Sequence, residues 1–328
     1  MARPLPSAGL RSAGFLRDRF RPDQRRLRRL ALASIAANVG IVVTGGAVRL
    51  TGSGLGCPTW PRCEGDSFVP NGELGLHGQI EFGNRMLTYV VGFVALATLI
   101  GAYRARPRRR DVRRLALVLF IGIPAQAVIG GISVLTDLNP WVVMGHLLIS
   151  MLLIGLATLL HRRLGEGDGP ARPVVSPLVR NLGILLLGLV AGVLYLGTVV
   201  TGSGPHAGDA EARRTGLDTH LVSMLHADAV IALVALTVAT LLTLRATRAP
   251  AAVRRAFGVL LVAELGQGLI GYVQYFTDLP VALVAAHMFG AGLLVVAAVR
   301  AVLSTRERST PAVPAPAVRQ PEPRVTPA

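Results

Sequence analysis

Three histidines of this chain, His146, His226 and His287, each lie near one end of a long apolar run. Ionisable groups inside a hydrocarbon layer are costly and face a protein interior. Imidazoles that project from facing helices at one depth can ligate a heme iron from both sides. A lone histidine in such a place is more often a hydrogen-bonded core residue, so the pairing of these residues carries the reading. Asn84 stands at the same depth in another apolar run, and neutral Asn is a poor iron ligand. A site formed by Asn84 and His146 would leave one iron face open, which suits oxygen chemistry. A closed pair, His226 with His287, suits electron transfer. Beside Asn84 sits Glu81, three residues earlier and on the same helical face. A carboxylate entering a membrane is a candidate for function, and the plainer alternative is a Glu81–Arg85 pair at i,i+4.

The other polar candidates are weaker. Glu264, in the middle of an apolar run, could relay protons or be a neutral hydrogen-bonded acid. His77 lies seven residues before Asn84, two turns along the same face, where it could substitute as a ligand, and reads first as an interfacial loop residue. His206 falls in a loop, His220 is off the face of His226, and His161 borders arginines. No cluster of cysteines or carboxylates offers a zinc site.

These residues sit in a duplicated frame. The segment 125–146 matches 266–287 at a fixed offset of 141, with eight identities between 126 and 146. They include Gln126/Gln267, Gly130/Gly271, Thr136/Thr277, Asp137/Asp278 and His146/His287. Chance likeness between apolar helices would match Leu and Val, not Gln, Thr, Asp and His. Thr51-Gly52-Ser53-Gly54 reappears as Thr201-Gly202-Ser203-Gly204, and both copies are expected just past a helix end. At offset 142, Asn84 stands opposite His226, and Glu81 opposite Ser223. The carboxylate therefore belongs to one half only, which points to a catalytic half and a cofactor half.

The elements that must position these groups are membrane spans. Of the 328 residues, 52% are hydrophobic. A spanning helix needs about 20 apolar residues, and eight runs qualify, near 29–48, 82–103, 114–136, 141–160, 179–201, 222–244, 255–276 and 280–303. The expected fold is an all-α integral membrane protein. Two tandem four-helix bundles would be related by a pseudo-twofold along the membrane normal. The expected division is a basic N-terminus 1–28, a first half 29–161, a linker 162–178, a second half 179–303 and a disordered tail 304–328.

All 34 basic residues are arginine, and 29 of them fall on one side of this eight-span topology. The positive-inside rule then puts both termini in the cytoplasm of a multi-pass cell-membrane protein. Arginines between apolar runs, with no basic face carrying interleaved aromatics, set topology and point to a lipid bilayer rather than to nucleic acid. Cys57 and Cys63 share the first external loop, where an oxidising compartment favours a disulfide between them.

Together these motifs resemble the heme A synthase family over about residues 30–303. The resemblance rests on GGAVRLTGSGLGCPTWPRC (45–63), IEFGNR (80–85), His146, TGSGPHAGD (201–209), His226 and His287. The cysteine pair is similar to that of Gram-positive-type members. The family implies conversion of heme O to heme A, in which a porphyrin methyl is hydroxylated twice and the diol loses water to give a formyl group. By resemblance, His226 and His287 would bind a heme b cofactor through its iron, and His146 would face the iron of the substrate heme. Glu81 would be the catalytic carboxylate, and Arg49 and Arg85 would meet heme propionates. The family's Glu-x-x-His-Arg reads Glu81-Phe82-Gly83-Asn84-Arg85 here, so the second ligand to the substrate heme is missing. Heme O synthase and an unidentified electron donor would be partners. A di-heme electron-transfer protein is the main alternative, and Asn84 counts against its two closed sites. A transporter of parallel repeats is a third reading; it would show helix-breaking Gly or Pro at matched mid-membrane positions, whereas the matched polar positions here sit near the outer edge.

Overall fold

The apolar runs and their polar punctuation settle into eight long helices in the computed structural model, which describes residues 24–308. In chain order they are α1 (Gln24–Leu50), α2 (Gly75–Arg104), α3 (Arg110–Leu135), α4 (Pro140–Arg163), α5 (Pro177–Ser203), α6 (Thr219–Ala246), α7 (Ala251–Phe276) and α8 (Val281–Ser304). Each is long and apolar enough to cross a membrane. With no water to satisfy backbone groups in hydrocarbon, helices are the economical spanning form. Large apolar side chains such as Phe93, Ile231, Val262 and Leu269 stand exposed on the outside of the helix array, as a lipid-facing surface requires.

Two buried cores form. One gathers Leu27, Ile35, Val39, Val91, Leu119, Ile154 and Leu160 from α1–α4. The other gathers Val179, Leu186, Leu233, Phe257, Leu260 and Leu294 from α5–α8. Within the first set α1 packs on α2, α2 on α3, α3 on α4 and α4 back on α1. The second set repeats the cycle with α5, α6, α7 and α8. Helices α1, α4, α5 and α8 join the sets through α4–α8, α1–α8 and α4–α5 contacts. Close approach there needs small residues. A Cβ on Gly46 would come within 2.5 Å of the Met288 sulfur, and one on Gly292 within 3.3 Å of Val39.

One end of the array carries the loops 51–74, 136–139, 204–218 and 277–280, and is called the loop end. The matched Thr-Asp-Leu segments explain themselves at this end. Asp137, Leu138, Asp278 and Leu279 all have positive φ. The Leu138 N–H donates to Ser133 O (2.8 Å) and the Leu279 N–H to Gln274 O (2.9 Å). Both halves thus close their third helix with the same left-handed turn. Side-chain caps start the next helices: the Asn139 oxygen accepts from the Trp141 N–H (3.0 Å) and the Asp218 oxygen from the Leu221 N–H (2.7 Å).

The opposite, arginine-rich end is tied by ion pairs. Arg163 bridges Asp111 and Glu166, the latter at 2.8 Å, and Arg109 meets Asp168 at 2.5 Å. A two-stranded antiparallel sheet joins β1 (Ala171–Pro173) to β2 (Arg306–Arg308). Three residues of the linker therefore pair with three at the start of the segment expected to be a disordered tail. Residues 1–23 of the basic N-terminus and 309–328 of the tail lie outside the described residues. Two further expectations change. Helix α2 begins at Gly75 rather than near 82, so His77 is helical and not in a loop. Thr201–Ser203 end α5 instead of following it.

Candidate functional site

Glu81, in the second turn of α2, is 5% exposed. Its Oε2 accepts the Cys57 backbone N–H at 2.6 Å. Its Oε1 accepts from Arg85 Nη2 (2.5 Å) and Nε (3.1 Å). The i,i+4 pair anticipated as the plainer alternative is thus formed. Arg85 goes further, donating to the carbonyls of Cys57 (3.0 Å), Thr59 (3.1 Å) and Arg62 (3.1 Å). Charge-assisted bonds of this kind are the strong ones, so Glu81 and Arg85 together anchor the loop that Cys57 and Cys63 close. The disulfide is formed, and both cysteines are fully buried. The loop lies tight on the helices beneath it: a Cβ on Gly56 would strike the His77 carbonyl, and one on Gly131 of α3 would strike the Trp60 indole. His77 Nδ1 shares a hydrogen bond of 2.9 Å with the Ser53 hydroxyl.

Asn84, one turn below Glu81, turns to α1. The Thr44 hydroxyl donates to its Oδ1 at 2.8 Å. No bond among the described residues joins Asn84 to His146. His146 lies six residues into α4, with its ring against Gly130 of α3, where a Cβ would come within 3.3 Å of Cε1. His287 lies six residues into α8, with its ring against Gly271 of α7 at the same 3.3 Å. His226 packs on Gly197 of α5, at 3.1 Å. His226 and His287 belong to the same four-helix set. In all three rings Nδ1 is buried with no hydrogen-bond partner among the described residues.

Two further residues belong to this arrangement. Gln126 Nε2 donates to the His146 carbonyl at 2.9 Å, and Gln267 Nε2 to the His287 carbonyl at 2.9 Å. Each glutamine fixes the histidine helix one helical turn from the glycine that receives the ring. Both glutamines and both glycines were visible as identities in the repeat. Their role was not, because it depends on a backbone carbonyl of the neighbouring helix.

Arg49 ends α1 and joins the halves. Its Nη2 donates to Thr201 O (2.8 Å) and its Nε to His206 O (2.5 Å). The Gly54 N–H donates to Gly208 O (2.8 Å), and His206 Nε2 bonds Leu279 O (3.0 Å). His206 is thus a loop tie, while His220 is exposed. His161 is half-buried near the far end of α4.

Eight apolar spans, with histidines set against glycines near one end, define a polytopic membrane protein. The chain belongs to the cytochrome oxidase assembly protein family (COX15-CtaA), which matches residues 28–299. It is similar to the heme A synthase of Symbiobacterium thermophilum, 32% identical over 184 residues, which are 54% of this chain and 59% of that protein. The heme A synthases of Geobacillus kaustophilus (30% over 146 residues; 44% and 45%) and Exiguobacterium sibiricum (30% over 164 residues; 49% and 54%) are similar as well. The chain spans about half the length of the relatives it matches.

Proposed function

We propose that this protein converts heme O to heme A, by two hydroxylations of a porphyrin methyl and loss of water to the formyl. The observation that carries the reading is the asymmetry of the halves at matched positions: Glu81, locked by the Cys57 N–H and Arg85, stands in one where the other has Ser223, and Asn84 stands in one where the other has His226. The proposed architecture is two tandem four-helix bundles, residues 29–161 for the substrate and 179–303 for the cofactor. It is supported by the repeated cycle of helix contacts.

The second-half residues fit a heme b. Two imidazoles of one four-helix set each have a buried Nδ1 with no hydrogen-bond partner among the described residues and a glycine beside the ring. Such a group supplies one-electron transfer when bound by two histidines. His146 is assigned to the iron of the substrate heme in the first half, with Asn84, turned to Thr44, leaving the other iron face free. Glu81 stands one turn from Asn84, where a carboxylate can take up a proton or stabilise positive charge developing at the methyl carbon. Arg85 positions Glu81 through its two bonds to Oε1. Arg49, whose Nε and Nη2 are taken, offers Nη1 to a propionate.

The arginine-rich end and both termini are assigned to the cytoplasm of the cell membrane, and the loop end to the outside. Reporter fusions at positions 110, 170 and 250 should then read cytoplasmic, and fusions at 65 and 210 external. Heme O synthase and a separate electron donor are the expected partners. The functional test is acid-acetone extraction and chromatography of bound hemes, with and without a heme O supply. Heme A should appear only with heme O; its absence in both arms would reject the reading.

A further inference from the structure

Along α7, Glu264, Gln267, Gly271 and Gln274 follow at spacings of three, four and three, and so share one face. Three of them end in buried oxygens with no hydrogen-bond partner among the described residues: Glu264 Oε2, Gln267 Oε1 and Gln274 Oε1. Glu264 is 2% exposed, midway along α7 and one turn from the buried Leu260. Its other oxygen accepts the hydroxyl of Thr237 on α6 at 2.8 Å. A carboxyl in an apolar core with half its bonding capacity unmet is destabilising, and inside a membrane such groups mark function. The first half has Ile123, Gln126, Gly130 and Ser133 at these positions. The acid and the amide nearest the loop end therefore belong to the second half alone.

The Thr237 hydroxyl is its one side-chain hydrogen-bond partner, and no ion pair reaches this carboxyl among the described residues. The titratable and charged side chains of the helices packed on α7 lie toward their ends. They are His220, His226, Asp228 and Arg245 on α6, and His287 and Arg300 on α8. On α7 itself they are Arg254, Arg255, Tyr272 and Tyr275. Gly271, against which the His287 ring rests, is seven residues from Glu264, about 10 Å along the helix. A unit change of charge at that range, in a medium of low dielectric, alters proton affinity on the order of tenfold or more.

We propose that Glu264 is a redox-linked proton site, protonated when the heme between His226 and His287 is reduced and deprotonated when it is oxidised. Gln267 and Gln274 orient water between Glu264 and the loop end. The proposal rests on the reading of His226 and His287 as ligands. One electron, one of the two that a quinol gives up on oxidation to quinone in the cell and supplied by dithionite in the test, takes the iron from ferric to ferrous. One proton from the aqueous phase converts the Glu264 carboxylate to the acid, so the net charge of the region is unchanged.

The test is redox-difference infrared spectroscopy of the whole protein, with potentiometry of its low-spin heme across pH. In the wild type, reduction should produce a protonated-carboxyl band, and the midpoint potential should fall as pH rises. Glu264→Gln should abolish both, Glu81→Gln should abolish neither, and Thr237→Val should shift the frequency of the band. Gln274→Leu should slow its exchange in D2O. A wild-type potential independent of pH, or a carboxyl band that survives Glu264→Gln, overturns the proposal even if no other variant folds. Absence of a low-spin heme from the wild type, or its survival in His226→Ala, sinks the ligand assignment itself and is distinguishable from loss of the band alone.

Discussion

The two halves share a scaffold and differ in what is mounted on it. In each, a histidine six residues into the last helix rests on a glycine of the third helix, and a glutamine one turn from that glycine holds the histidine's carbonyl. Around this common unit the first half has a disulfide-closed loop, with Glu81 and Arg85 locked beneath it and Asn84 turned to Thr44. The second half has a second histidine, His226, and a deeply buried acid, Glu264. The comparison teaches that duplication preserved the device that orients an imidazole. The residues free of that duty diverged; in the proposed function one set serves a reacting substrate and the other a resident cofactor.

The strongest way to break this comparison is at the ligands. His226→Ala or His287→Ala should remove the low-spin heme b spectrum entirely, while His220→Ala, at an exposed position, should leave it unchanged. If His220 matters as much as His226, the assigned helix face is wrong. Glu81→Gln comes next. Loss of a positioned acid–base group costs typically a hundredfold or more in rate, so heme O or the singly hydroxylated heme should accumulate, with the second-half spectrum intact. The variant also weakens the pair with Arg85, so thermal stability is measured alongside. A fall in heme A that merely tracks lost folded protein would make Glu81 a loop anchor and nothing more.

Asn84→His would sharpen the contrast by making the first half resemble the second. It should add a low-spin signal from substrate heme and slow turnover by closing the free iron face. An unchanged spectrum would show that position 84 does not reach the iron. The smallest effects are expected at the ring-bearing glycines. Gly271→Ala places a methyl 3.3 Å from His287 Cε1, and should shift the heme b absorption or EPR signal slightly. Gly130→Ala should leave that signal alone and alter substrate handling in the first half. Identical effects of the two variants would argue against separate sites.

Much of the fold was legible because hydropathy is a property of short stretches: runs of about 20 apolar residues are spans wherever they occur. Helix ends were less legible. Gly75–Ile80 are too polar and glycine-rich to read as membrane, yet the helix continues through them. The two Thr-Gly-Ser-Gly copies show the same limit. In the second, the Thr201 and Ser203 hydroxyls donate to carbonyls four residues back, at 2.8 and 2.9 Å, and the helix persists. In the first, Gly52 adopts a φ of 65° and the helix has ended.

By itself the sequence determined the eight spans, the charge asymmetry of their ends and the repeated Gln, Gly and His. These follow from composition and spacing along one dimension. Only the tertiary structure decided which polar group meets which. It gave Glu81 the Cys57 N–H as well as Arg85, turned Asn84 to Thr44, brought Arg49 to carbonyls of the second half and left one oxygen of Glu264 unmatched. Apart from Arg85, such partners lie 24 to 157 residues apart in the chain. Their meeting depends on helix rotation and depth, which packing sets and local pattern does not encode.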